Sequence, residues 1–431
     1  MAGKGFVKAA RQGACLLLLG LWAVLLAGCG AEDENAALSP RVIADINKPG
    51  VVLITNIYTA QISVQDCQIS PEGNQRLLQT LSKRLKAGEI ADKQQLISAY
   101  FDELIRQPSL YLVPSAKVIS QEAKSGCMGT GFILTEDGCI VTNAHVVHLT
   151  DEQLQQSMVQ SALQKLVKNN LLGFQQQLSA SGYSLSEDQL SKLEQVIVNF
   201  YASHLKVSNV QQQLYASLGM GKVQDGFACT VKKIGEPTPG KDIAVLQAVD
   251  RKGLPTVELG DDTVMHAGDK VFVLGYPGVA TFNDALSQDG KLESTFTAGM
   301  LSARKMMADN WEIFQMDAAI TNGNSGGPVF NEQGKVIGVA TFGSLNEQGN
   351  QIQGMNFAIP VSIVREFLPD NGNQLQIGET MEQYREAVRT FDQGEYEDAL
   401  SEFQEIHQAQ PGFPYIQEFI QQAQASLDKQ K

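Results

Sequence analysis

Residues 321–330 read "TNGNSGGPVF", and two readings compete for Ser325 at their centre. Glycines on both sides of a serine make an ordinary tight turn, because Gly adopts positive φ without steric cost. The same glycines also suit a serine presented as a nucleophile on a loop whose backbone N–H groups are exposed. A serine hydroxyl is a weak nucleophile at neutral pH and needs an adjacent base. The decision therefore rests on what the rest of the chain supplies.

Outward from this stretch the chain is mainly β. Short apolar or alternating runs bounded by glycines recur as "VVLITNIY", "GTGFIL", "CIVTNAHVV", "IAVLQAV", "KVFVLGYPG", "TAGMLSA", "KVIGVATFG" and "GMNFAIP". Many short strands with Gly turns predict an all-β sandwich or barrel. Helical periodicity interrupts the pattern at about 73–112 and again at about 150–219, where Thr150 is a suitable N-cap with Gln153 three residues on. The Gln-rich faces of these insertions fit a solvated surface, and they equally fit a role in substrate access or subunit contact.

The N-terminus predicts an address, not a fold. Lys4, Lys8 and Arg11 precede the apolar run "CLLLLGLWAVLLA", and no acid occurs before Glu32. That is the pattern of a secretory signal, and the run is short for a membrane span of about 20 residues. An uncleaved anchor helix is the alternative. The end of the run, "LLAGC", resembles a bacterial lipobox, which implies cleavage after residue 28 and acylation of Cys29. Residues 29–40 then form a solvated tether to a lipid bilayer. Gly30 after that Cys implies the periplasmic face of the outer membrane in a two-membrane host. Removing residues 1–28, which carry three cations and no acid, takes the net charge from −14 to −17. Such a chain is not expected to bind nucleic acid. No CxxC pair occurs among Cys67, Cys127, Cys139 and Cys229, and no metal or cofactor is expected.

Five histidines are candidates for the base. His145 closes "CIVTNAHVV", where an imidazole needs a hydrogen-bond partner. Asp242, in "GKDIAVLQ", is either a strand-edge turn residue or a buried acceptor. His145, Asp242 and Ser325 stand in the chain order of one class of serine hydrolase. The blocks "GTGFIL…GCIVTNAHVV", "KDIAVLQ", "VFVLGYPG", "TAGMLSA", "FQMDAAITNGNSGGPVF", "GKVIGVATFG" and "GMNFAIP" together resemble the HtrA/Deg family of chymotrypsin-like serine proteases.

The resemblance implies a two-barrel trypsin-like fold over residues 41–370 that carries the helical insertions. It implies a serine endopeptidase acting on extended or unfolded polypeptides in extracytoplasmic quality control or processing. Ser325 would be the nucleophile, His145 the general base and Asp242 the group that orients it. Gly323 and Ser325 would line the oxyanion hole. Thr341, Phe342 and Gly343 would pair with substrate, and Ala319 would leave the specificity pocket uncharged for small or medium apolar side chains. The family's trimeric assembly carries over only weakly as a homo-oligomer, because residues 66–120 replace the loop that often governs it. No PDZ-like domain follows the protease.

Instead, residues 376–428 resemble one tetratricopeptide repeat with a capping helix, on Ala387, Gly394, Tyr396, Ala399, Phe403 and Pro411. Gln383 and Glu386 stand where that repeat has large apolar side chains, and an unrelated helical hairpin is the alternative. One repeat buries too little apolar surface to stand alone. It is expected to dock on the barrels or on another subunit, and a protein partner for it is open. A lipid-anchored adaptor with a little-used protease barrel is the competing reading of the whole chain.

Overall fold

The structure, a computed structural model, describes residues 36–221, 225–281, 292–345, 351–372 and 375–430. The signal, Cys29 and most of the tether lie outside the described residues. No described helix is long and apolar enough to cross a membrane.

Two closed antiparallel barrels form the body of the chain. The first contains β1 (Val51–Ile69), β2 (Leu112–Ile133), β3 (Cys139–Thr142), β4 (Leu205–Leu218), β5 (Phe227–Ile234) and β6 (Ala244–Ala248), in the order β1-β2-β3-β6-β5-β4. The second contains β7 (Lys270–Gly275), β8 (Thr295–Met306), β9 (Glu312–Met316), β10 (Pro328–Phe330), β11 (Val336–Leu345) and β12 (Gln351–Pro360), in the order β10-β11-β12-β9-β8-β7. Closure leaves neither barrel with a free sheet edge along its length. Leu53, Phe132 and Val141 of the first barrel share one apolar cluster with Phe272, Leu274, Phe330 and Ile359 of the second. Each fully buried side chain of this size contributes about 1.5–3 kcal/mol, so the seam between barrels is a core and not a hinge.

The eight stretches read as strands all contribute to these barrels. The second helical insertion is shorter than expected. It ends at His204, and residues 205–218 are β4, paired with β1 from Val64↔Leu205 to Val52↔Leu218. The outer part of β4 is almost wholly exposed, which hid its two-residue period. The structure also adds β5, β9 and β10 as separate strands.

The insertions are not two separate appendages. Helices α2 (Pro71–Lys86) and α3 (Lys93–Arg106) leave from β1, and α4 (Asp151–Ala180) and α5 (Glu187–His204) leave from the loop after β3. Thr150 and Gln153 form a reciprocal capping box at the start of α4. α3, α4 and α5 pack on the outward extensions of β1, β2 and β4, and α2 packs on α3 through a separate cluster of Leu77, Leu81 and Ala99. Tyr58, Ile62 and Val64 of β1, Leu104 of α3, Leu154 and Met158 of α4, and Leu193 and Tyr201 of α5 bury one another. Gln189 of α5 donates to Asp102 of α3 at 2.6 Å. The result is one helical module, with a main core under α3, α4 and α5 and a smaller one between α2 and α3.

The chain ends in α6 (Glu379–Asp392), α7 (Tyr396–Ala409) and α8 (Ile416–Gln430). Ala399 and Phe403 are fully buried between them. Gln383 and Glu386 face solvent, and Met381, Tyr384, Val388 and Phe391 fill the core in their place. The missing apolar surface comes from α1 (Pro40–Asn47), whose Val42 and Ile46 join the same cluster. Tyr384 donates to the Asp45 carbonyl at 3.1 Å, and Arg385 pairs with Glu258 at 3.0 Å. The three helices therefore dock on the same chain.

Candidate active site

The seam brings His145, Asp242 and Ser325 to one place from three segments. β3 ends at Thr142, and Asn143 opens a one-turn helix, Ala144–Val147, that carries His145. His145 is thus on a turn beyond the strand, with its side chain 42% exposed, whereas Asp242 is 1% exposed. His145 Nδ1 lies 2.6 Å from Asp242 Oδ2, and the His145 backbone N–H donates to Oδ1 at 2.9 Å. A carboxylate only accepts, so the ring proton sits on Nδ1 and the Nε2 lone pair is left open.

Asp242 is itself held. Thr341 Oγ1 donates to Oδ2 at 3.0 Å, and Asn143 Nδ2 donates to the Asp242 carbonyl at 2.7 Å. Thr341, expected on the substrate strand, lies in β11 and turns its hydroxyl inward to the acid. Its carbonyl accepts the Ser325 hydroxyl at 2.8 Å. Among the described residues no hydrogen bond joins Ser325 to His145.

Ser325 lies in the turn between β9 and β10, and the backbone of that turn is pinned on both sides. Gly326 N–H donates to Ala340 O, and the Ser325 carbonyl accepts from Thr130 N–H, each at 2.8 Å. Gly323 (φ +103°) and Gly326 (φ +87°) both need the left-handed region. A Cβ on Gly326 would come 2.1 Å from Thr130 O, and one on Gly323 would come 2.4 Å from Tyr276 O. The Asn322 carbonyl accepts from Gly278 N–H at 2.8 Å. In a planar trans peptide the following N–H points the opposite way, so Gly323 N–H is turned away from Gly278. Among the described residues neither Gly323 N–H nor Ser325 N–H has an acceptor. Two such donors are what a developing oxyanion requires.

Ala319, six residues before Ser325, is exposed, and its carbonyl accepts from Thr297 Oγ1 at 2.9 Å. Phe342 stacks on Phe357 with ring centroids 4.8 Å apart, and Gly343 lies opposite Asn356. The buried Asn356 donates to the Ala318 carbonyl at 2.8 Å. These residues lie together on the β9, β11 and β12 side of the second barrel.

Two functional residues were not singled out in the sequence. Thr130 is fully buried, donates from Oγ1 to the Gly323 carbonyl at 2.7 Å and accepts from Tyr276 N–H at 2.9 Å. Asn143 is the other. Both stand in quoted stretches, and a polar residue inside (Thr130) or just after (Asn143) a buried apolar run was the signal that could have found them.

The trypsin-like peptidase domain family matches residues 129–339. The chain is 28% identical over 253 residues, 58% of its length, to a probable periplasmic serine endoprotease, DegP-like, of Halomonas elongata. It is 35% identical over 147 residues, 33% of its length, to a protein of the same description from Bartonella henselae. The matches span 36% and 26% of those two proteins. A solved structure of the HtrA-type protease AlgW with a decapeptide is 18% identical, with a TM-score of 0.39, over 77% of this chain and 66% of that one.

Proposed function

We propose that the chain, part of which matches the trypsin-like peptidase domain family, is an HtrA-like serine endopeptidase that hydrolyses extended or unfolded polypeptides. The observation that carries this reading is the buried Asp242, which fixes both the ring and the backbone of His145 beside the pinned Ser325 turn. The reading requires the Ser325 hydroxyl to leave the Thr341 carbonyl, by a change of χ1 from one staggered well to another, before it donates to the imidazole.

In the reaction, Ser325 Oγ attacks the scissile carbonyl while His145 Nε2 takes its proton. Asp242 stabilises the imidazolium that results. The Gly323 and Ser325 N–H groups receive the negative oxygen. The imidazolium then protonates the leaving amine, and water, deprotonated by the same ring, releases the acyl group. An extended substrate pairs with β11 at Phe342 and Gly343 by β-augmentation. The uncharged Ala319 favours small or medium apolar side chains at the cleaved bond.

The lipobox and the periplasmic description of the relatives support an exported enzyme. Acylation of Cys29 would hold it at a bilayer face. Acyl chains contribute about 0.8 kcal/mol per buried CH₂, and more than one is needed for stable anchoring.

Fluorophosphonate labelling of the purified protein, read by peptide mass spectrometry, tests the reading. The label is expected on Ser325, at a rate about 10⁴-fold lower in Asp242→Asn, which disturbs the imidazole tautomer. Labelling elsewhere, or none in the presence of hydrolysed polypeptide, would overturn the assignment.

A further inference from the structure

We propose that Asn56, Tyr58 and Gln212 are positioning residues that clamp the turn carrying His145 and so tie the placement of the base to the helical module. The inference rests on the reading of His145 as the general base.

A one-turn helix cannot satisfy its own last carbonyls. In Ala144–Val147 those of Val146 and Val147 receive side chains from the first barrel. Asn56 Nδ2 donates to Val146 O at 3.2 Å, and Cys127 Sγ donates to the same oxygen at 3.2 Å. Gln212 Nε2 donates to Val147 O at 2.6 Å, and Tyr58 Oη donates to it at 3.4 Å. The three side chains also join one another. Gln212 Nε2 donates to Asn56 Oδ1 at 3.0 Å, and Asn56 Nδ2 donates to Tyr58 Oη at 3.3 Å. Tyr58 Oη accepts in addition from Leu149 N–H at 3.3 Å.

The hydrogen inventory closes. Gln212 uses both of its N–H hydrogens, the two of Asn56 are shared among Val146 O, Tyr58 Oη and, at 3.7 Å, Cys127 Sγ, and the phenol gives its one hydrogen to Val147 O. Asn56 and Tyr58 are two apart on β1 and share a face, and Gln212 of β4 lies directly opposite Tyr58. Asn56 and Tyr58 are buried, at 0% and 5% exposure.

The clamp is built from the stretch of β1 and β4 where the barrel becomes the module. The Tyr58 ring belongs to the core made with Leu154 and Met158 of α4. Leu149, which packs on that core, lies between the His145 turn and Thr150, the cap of α4. Movement of the module against the barrel would therefore reach the imidazole through two carbonyls.

The double variant Tyr58→Phe/Gln212→Met removes both donors to Val147 O while keeping side-chain volume. Turnover is measured on an unstructured polypeptide, with active sites titrated by fluorophosphonate so that unfolded molecules are not counted. The kcat per titrated site is expected to fall about 10²-fold, the cost of a base displaced by about 1 Å, with KM nearly unchanged. A kcat per site within about twofold of the wild type would overturn the clamp while leaving the enzyme reading intact. A wild-type protein that neither takes the label nor turns over would instead remove the enzyme reading, and the clamp with it. If the double variant does not fold, Gln212→Met alone, at an exposed position, is read by the same criterion with an expected loss of about tenfold.

Discussion

The two barrels share a strand order and divide the site between them, yet they hold their halves by different means. In the second barrel the Ser325 turn is fixed chiefly by backbone against backbone, helped by the buried Thr130 side chain, with glycines at positions where a Cβ would collide. In the first barrel the His145 turn is fixed by side chains from lengthened strands. β1 and β2 run for 19 and 22 residues, whereas among the described residues the longest strand of the second barrel has 12. Backbone packing of this kind is all-or-none, because a close-packed seam does not deform gradually. Side-chain clamping is graded, and it can be coupled to whatever is added to the strands that supply it. The helical module is added there.

Gly326→Ala should have the largest effect, because it attacks the backbone-held half. The new Cβ would meet Thr130 O at 2.1 Å and Thr142 Oγ1 at 2.3 Å, at a φ that L residues rarely adopt. Loss of Ser325 labelling and a stability loss of about 3 kcal/mol are expected, read from urea midpoints. A folded variant that labels at the wild-type rate would break the distinction between the two halves. Thr130→Val is milder. It keeps the shape but leaves Gly323 O and Tyr276 N–H without their partner. About 2 kcal/mol of stability and about a tenfold slower labelling rate are expected, because the peptide lying between the two proposed oxyanion donors is no longer tied down. Unchanged labelling with lowered stability would confine Thr130 to a structural role.

The backbone-held half is also the half the sequence displays. Gly323, Ser325 and Gly326 stand within four residues and are legible together, although β9 and β10 on each side were not read as strands and the anchoring Thr130 is distant in the chain. The clamp is not local. Asn56, Tyr58 and Gln212 are ordinary polar residues in strands, and their shared target is a turn some 65 to 90 residues away in the chain. β4 was concealed for the same reason. Its "VSNVQQQ" face is solvated, so only pairing with β1 makes it a strand. Thr341 was legible as a strand residue beside the nucleophile, but its bond to Asp242 spans 99 residues and leaves no local trace. The insertions were legible as helices through their periodicity. Their union in one module was not, because an apolar stripe does not name its partner.

Tyr201→Phe should have the smallest effect on activity, and it separates the module from the clamp. Tyr201 on α5 donates to Asp66 Oδ1 at 2.6 Å, and Lys117 pairs with Oδ2 at 3.0 Å. Burial pushes the Asp66 carboxyl up, but the Tyr201 hydroxyl and the Lys117 ammonium outweigh it and hold the group below the usual carboxylate range. A group depressed in the folded state stabilises above its unfolded value and loses that contribution as pH falls through the folded value. Removing the hydroxyl should therefore cost the module about 1.5–3 kcal/mol at pH 7. The difference from the wild type should shrink below about pH 4, where an unfolded aspartate takes up its proton. Hydrogen exchange in residues 151–204, followed with pH, measures it. Turnover per titrated site is expected to stay at the wild-type level, because the Tyr58 and Gln212 bonds to Val147 are untouched. If turnover falls with the module's stability, the base is held by the module as a whole, and the three-residue clamp is only its nearest part.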